Sequence, residues 1–134
     1  IECDLVIKPG ISRYAMDEEK MHHAIYNLID NAIHYAADPH SRCKRYIHIE
    51  VGMDELVDDL LITISDNGIG ISQESIPFIF ERFFKDDKAR TMPKNNGSGI
   101  GLSLVQTIIS EHGGKIEVDS VQSRGTTFVI RLPF

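Results

Sequence analysis

Chemistry in this sequence concentrates in a few short segments. In Asn27-Leu-Ile-Asp-Asn31, followed by His34, two asparagines and a histidine stand four and three residues apart, so a helix places them on one face. Asparagine is a poor helix former, and two of them on consecutive turns carry a cost that a ligand role would offset. The amide oxygen of Asn31 suits Mg²⁺, a hard cation that prefers oxygen and bridges nucleotide phosphates. A solvated helix face accounts for the same residues equally well. Asp66-Asn-Gly-Ile-Gly70 ends a β-rich run. A carboxylate there accepts a hydrogen bond from an exocyclic amine such as that of adenine, and the glycines let the backbone turn beside a flat ring. DxGxG also serves in ordinary turns.

Gly97-Ser98-Gly99-Ile100-Gly101-Leu102 precedes a helix. Glycines at such a point free backbone N–H groups for phosphate, and the helix dipole adds to the attraction. The GxGxG spacing is not GxxxxGK[ST], and no strand immediately precedes it as in the dinucleotide fingerprint. A flexible connection is the bland alternative. Phe80-Glu-Arg82-Phe83-Phe84 is an aromatic cluster that suits a core or a lid anchor, with Arg82 reaching either a phosphate or a surface carboxylate. Lys85, Lys88, Arg90 and Lys94 make the segment up to Asn96 basic, which fits closure over a polyphosphate and also fits a solvated loop. Gly125-Thr126 opens the last apolar run, as a β-turn commonly does.

The elements that hold these residues follow from periodicity. Residues 2–8 alternate and close on Pro9-Gly10, a strand and turn. Asp17 is an N-cap, Glu18 and Glu19 favour the first turn, and Met21, Ile25, Leu28, Ala32 and Tyr35 form the apolar stripe of a helix ending near Ala36. A polar loop with Pro39 follows; 46–53 and 59–65 read as an antiparallel hairpin. A short helix starts at Ser72 and carries Phe78 and Phe80, 85–96 is a mobile loop, and a second long helix spans 101–112 until Gly113-Gly114. Strands at 115–120 and 126–132 complete a mixed, mostly antiparallel five-stranded sheet with about three helices on one face, a two-layer α/β (α+β) sandwich.

Bulk properties narrow the function class. The 134 residues make one domain, with 42% apolar and 25% charged residues. A formal charge of −6 argues against binding nucleic acid or an anionic membrane surface. Cys3 and Cys43 form no CxxC pair, which favours a reduced, cytoplasmic setting, and no apolar run reaches the roughly 18 residues of a membrane span. The start at Ile1 reads as a piece cut from a longer chain.

Taken in order, the asparagine-bearing helix, DxGxG, FxRFF, GxGxGL and the late Gly-Thr resemble the ATP-binding catalytic domain of bacterial sensor histidine kinases. That superfamily also includes DNA gyrase, the 90-kDa heat-shock chaperone and a mismatch-repair protein, and the likeness spans nearly the whole chain. It implies a Bergerat-type fold with an ATP lid at about 85–101, and ATP and Mg²⁺ as cofactors. By this resemblance Asn31 ligates Mg²⁺, with Asn27 one turn earlier on the nucleotide side. Asp66 reads adenine, with Gly68 and Gly70 shaping its pocket and Thr126 near the base. Gly97, Ser98, Gly99, Ile100, Gly101 and Leu102 form the phosphate loop and helix start. Phe80, Arg82 and Phe84 match the aromatic box, with Arg82 assigned a catalytic part beside Asn27 and Asn31. Tyr35 and Lys85 complete the nucleotide contacts. His34 joins them only as a departure, since the family usually has lysine or arginine there.

Hydrolytic relatives carry a water-activating glutamate where this chain has Asn27, which cannot serve as a general base. That suits phosphoryl transfer to an imidazole. None of the six histidines fits the family's acceptor pattern, so the resemblance puts the substrate histidine on a separate dimerisation domain upstream of Ile1. It further implies relay to a response regulator, a monomeric domain in a homodimeric parent, and a parent either free in the cytoplasm or anchored in the inner membrane. An anti-sigma-type serine kinase of the same superfamily and a nucleotide-sensing module are the alternatives.

Overall fold

A computed structural model describes residues 1–11, 13–36, 44–84 and 101–133. In chain order the elements are β1 (Glu2–Ile7), α1 (Glu18–Ala36), β2 (Tyr46–Asp54), β3 (Asp59–Asp66), a 3₁₀ turn (Ile76–Phe78), α2 (Gly101–Glu111), β4 (Lys115–Val121) and β5 (Gly125–Pro133). The five strands form one sheet in the order β1-β2-β3-β5-β4. β1 runs parallel to β2, and every other pairing is antiparallel. α1 packs on α2, and both lie over the same face of the sheet. No helix among the described residues is long and apolar enough to cross a membrane.

The strand periodicity explains the core. On β3, Leu60, Ile62, Ile64 and Asp66 alternate inward, and on β5 Thr126, Phe128, Ile130 and Leu132 do the same. α1 lays Met21, Ala24, Leu28 and Ala32 onto them, and α2 adds Val105, Ile108 and Ile109. Each of the larger apolar side chains among them, fully buried, contributes about 1.5 to 3 kcal/mol. Two polar residues, Asp66 and Thr126, therefore end two otherwise apolar inward rows at the same end of the sheet.

α1 begins as its residues require: the carboxylate of Asp17 accepts the N–H of Lys20 at 3.1 Å. His112 ties the other helix to this cap. Its Nε2 accepts the Asp17 N–H at 3.0 Å while Nδ1 donates to the Ile108 carbonyl at 2.8 Å, a tautomer set by those two partners. α2 then stops at Gly113, whose φ of +72° few side chains tolerate.

The described residues hold two α-helices rather than about three. The segment expected to be a short helix from Ser72 is a turn that tightens into the 3₁₀ stretch, with Phe78 N–H bonded to the Ser75 carbonyl at 2.9 Å. Pro77 lacks an N–H and cannot extend an α-helical ladder there. The expected lid segment lies outside the described residues.

Candidate functional site

Asp66 is the last residue of β3 and pairs with Ile47 of β2 on one side and Thr126 of β5 on the other. It is only 7% exposed. The N–H groups of Gly68, at 2.9 Å, and Thr126 both donate to its carboxylate. Burial pushes this carboxyl up to about 6, against the pull of those two donors and the Arg45 guanidinium, which favour the charged form. At neutral pH Asp66 is thus an ionised, acceptor-only group with almost no water around it.

The loop after Asp66 is held from three sides. Asn67 accepts the Tyr46 N–H at 2.9 Å and donates to the Lys44 carbonyl at 2.9 Å, while Arg45 donates to the Asn67 carbonyl. The Ile69 N–H reaches the Tyr35 carbonyl at the end of α1, and the Ile69 carbonyl accepts from Ser123. Gly70 has φ +71°, and a Cβ there would fall 2.3 Å from the Val121 carbonyl oxygen. Gly125 is tighter still, with φ +123° and a would-be Cβ 2.0 Å from the Asp66 carbonyl oxygen. Both positions require glycine because two backbones touch there.

The amide-bearing face of α1 is a different environment. Asn27 and Asn31 are half-buried. The Asn27 side-chain NH₂ donates back to the His23 carbonyl at 3.1 Å. Its amide oxygen lies 3.6 Å from where a Cβ on Gly101 would stand, so Asn27 faces the first residue of α2. The tertiary structure thereby joins two motifs more than seventy residues apart, the asparagine row and the start of the second helix.

The remaining expected site residues are placed as follows. His34 is half-buried and meets Tyr35 edge-on, ring centroids 5.6 Å apart, and Tyr35 is 8% exposed. Leu102 packs against the core, and Phe80 stacks edge-on against Phe128 at 6.4 Å. Phe84 sits 6.1 Å from Phe78. Arg82 is exposed, its guanidinium 5.5 Å from the ring of Phe83. Lys85, Lys88, Arg90, Lys94, Gly97, Ser98, Gly99 and Ile100 lie outside the described residues. Sequence reasoning assigned no part to Arg45 or Ser120, both of which border the Asp66 loop. Arg45 sits in a polar stretch with no motif around it, and Ser120 is one hydroxyl in an alternating strand, so neither had a local signal.

Among the described residues a five-stranded open sheet thus carries two helices on one face, with a buried aspartate at a strand end and Asn27 facing the start of α2. Residues 16–134 match the family described as histidine kinase-, DNA gyrase B-, and HSP90-like ATPase, and the chain belongs to that family. It is 40% identical over 120 residues to the sensor protein SrrB of Staphylococcus aureus. That match takes in 90% of this chain and 19% of SrrB, so the chain spans about a fifth of this relative. Among solved structures, the mycobacterial sensor histidine kinase MprB superposes with a TM-score of 0.78 at 28% identity, covering 98% of this chain and 82% of that one. The catalytic domain of the histidine kinase ThkA shares the fold, with a TM-score of 0.75 at 24% identity over 98% of this chain and 79% of its own. The chain is therefore an ATP-binding catalytic domain of the sensor histidine kinase type.

Proposed function

We propose that residues 1–134 form one domain that binds Mg·ATP, with its lid at about 85–101, and passes the γ-phosphate to a histidine on a separate dimerisation domain of its parent. The observation that carries this reading is the buried Asp66 at the start of a clamped glycine loop. A dry carboxylate acceptor is suited to an exocyclic amine, and an amine is what distinguishes adenine at that edge. Gly68, Gly70 and Thr126 shape the base site. Asn27, Asn31, His34 and Tyr35 line the α1 side, and Gly97 to Leu102 with Lys85 take the phosphates.

The donor set fits Mg²⁺ only in one manner. Among the described residues no cluster of three His, Cys, Asp or Glu side chains could hold a metal. A cation here would take the Asn31 amide oxygen from the protein and its other ligands from phosphates and water, as Mg²⁺ commonly does. When bound, it would neutralise phosphate charge.

In the transfer, an imidazole nitrogen of the acceptor attacks the γ-phosphorus as the bond to the β–γ bridging oxygen breaks, leaving ADP. The chain's own work is positioning. Asn27 keeps its NH₂ tied to His23 and offers no base to activate water, which favours transfer over hydrolysis. Arg82, exposed beside Phe83, supplies a cation for the transferring group. The response regulator is reached through the acceptor histidine, and the site works in the cytoplasm.

Calorimetry with ADP and Mg²⁺ tests the binding half. Asp66→Ala is expected to abolish measurable affinity and Asn31→Ala to remove its Mg²⁺ dependence; unchanged affinity in both would sink the reading. Incubation with ATP and the parent's dimerisation domain tests the transfer half, with an acid-labile phosphohistidine as the expected product.

A further inference from the structure

Ser120 belongs to no part of the site described above, yet its hydroxyl sits where the Asp66 loop meets the β4–β5 hairpin. It is 3% exposed. One row across the sheet runs Ile47, Asp66, Thr126, Ser120, each paired with the next. The Ser120 hydroxyl has three partners, all at 2.8 Å: the Ile71 N–H, the Gly125 carbonyl and the Thr126 hydroxyl.

A hydroxyl has one proton and two acceptor sites. The Ile71 N–H can only donate and the Gly125 carbonyl can only accept. Ser120 therefore gives its proton to Gly125, and the Thr126 hydroxyl must donate to Ser120. The three partners saturate the group, and each lies on a different piece of the Asp66 surround. Ile71 ends the loop that Asp66 begins, Gly125 touches the Asp66 backbone, and Thr126 donates its N–H to the Asp66 carboxylate. The neighbouring backbone reinforces the seam: Gln73 donates to the Ser120 carbonyl at 2.7 Å, and Ser123 donates to the Ile69 carbonyl at 2.7 Å.

We infer that Ser120 is a positioning residue for base recognition, which locks the Asp66 loop and the Thr126 side chain into one arrangement so that the site discriminates a purine bearing a 6-amino group. This rests on the nucleotide reading proposed above. Removing the Ser120 hydroxyl leaves the Ile71 N–H and the Thr126 hydroxyl without their buried partner. The loop and Thr126 are then free to take several settings, and an acceptor that is no longer fixed cannot select one donor geometry.

The test compares affinity for ADP with affinity for purine riboside diphosphate, which lacks only the 6-amino group. Both ligands carry the same ribose and diphosphate, so the ratio reads the base alone. The wild-type domain is expected to prefer ADP, and Ser120→Ala to shrink that preference by about tenfold, the size of one lost buried hydrogen bond. Ser120→Cys, close to serine in volume and a weak hydrogen-bonder, keeps the test open if the alanine variant fails to fold; its preference is expected to fall between the two. A residue that serves stability alone would lower the melting temperature and leave the ratio intact. If the wild type binds both ligands equally, the base-reading assignment of Asp66 falls and this inference with it. If the wild type discriminates and both variants discriminate equally well, only the role of Ser120 is overturned.

Discussion

The two ends of the candidate site are built on opposite principles. Around Asp66 the loop is hydrogen-bonded from three sides, two glycines stand where any side chain would collide with backbone, and the aspartate itself is buried. Around Asn27 and Asn31 the groups are half-buried, and Gly101 has ordinary van der Waals room beside it. A flat base is recognised by hydrogen-bond geometry, which needs a dehydrated and immobile edge. Phosphates and a hydrated cation need groups that stay wet and can adjust. The first environment is costly to build and the second is permissive.

Glycine substitutions break this comparison most directly. Gly125→Ala drives a methyl to 2.0 Å from the Asp66 carbonyl oxygen in a positive-φ conformation. It is expected to destabilise the domain by about 3 kcal/mol or more, read as a large drop in melting temperature. An unaltered melting curve would mean that the strand end is not held as tightly as the contacts imply.

Asp66→Asn probes the same end at a smaller scale. The Asp66 carboxyl titrates at about 6 when folded, above its ordinary 3.8, so the folded state holds that proton more tightly than the unfolded one. Its contribution to stability is then greatest below about pH 4 and declines as pH rises to about 6, where the buried charge forms. Asp66→Asn should melt higher than wild type at pH 7 to 8, by about 1 to 2 kcal/mol, with the gap closing towards pH 4. Wild-type ADP affinity should weaken as pH falls through about 6, because the protonated carboxyl turns a donor toward the amine, whereas the asparagine variant should bind weakly at every pH. Parallel pH profiles for the two proteins would contradict the assignment.

At the permissive end, Gly101→Ala in the first turn of α2 meets the Asn27 side chain, among the described residues, with its amide oxygen at 3.6 Å. Thermal unfolding should shift by less than about 1 kcal/mol, in the stabilising direction, since alanine is the better helix former. A loss as large as that of Gly125→Ala would erase the contrast between the two regions.

Much of this was legible beforehand. The stripe of α1, the two hairpin strand pairs and the Gly113 stop appear where residue spacing puts them, each within a residue or two. They are written in local periodicity, which reads the same before and after folding. The segment after Ser72 reads as a helix because its apolar residues suit one, while the single proline within it decides against an α-helical ladder. Asp66, Gly68 and Gly70 could be singled out because a carboxylate and two glycines in five residues form a motif. Ser120 and Arg45 could not, because what matters about them is who stands opposite.

The sequence by itself thus determined the strands, the two long helices, the family resemblance and the residue types that could meet a nucleotide, since these depend on spacing along the chain. Only the tertiary structure decided that Gly125 touches the Asp66 backbone, that Ser120 saturates its hydroxyl on three separate segments and that Asn27 faces the start of α2. Those are cross-strand and helix-to-helix contacts, set by sheet register and packing, and no local pattern along the chain encodes them.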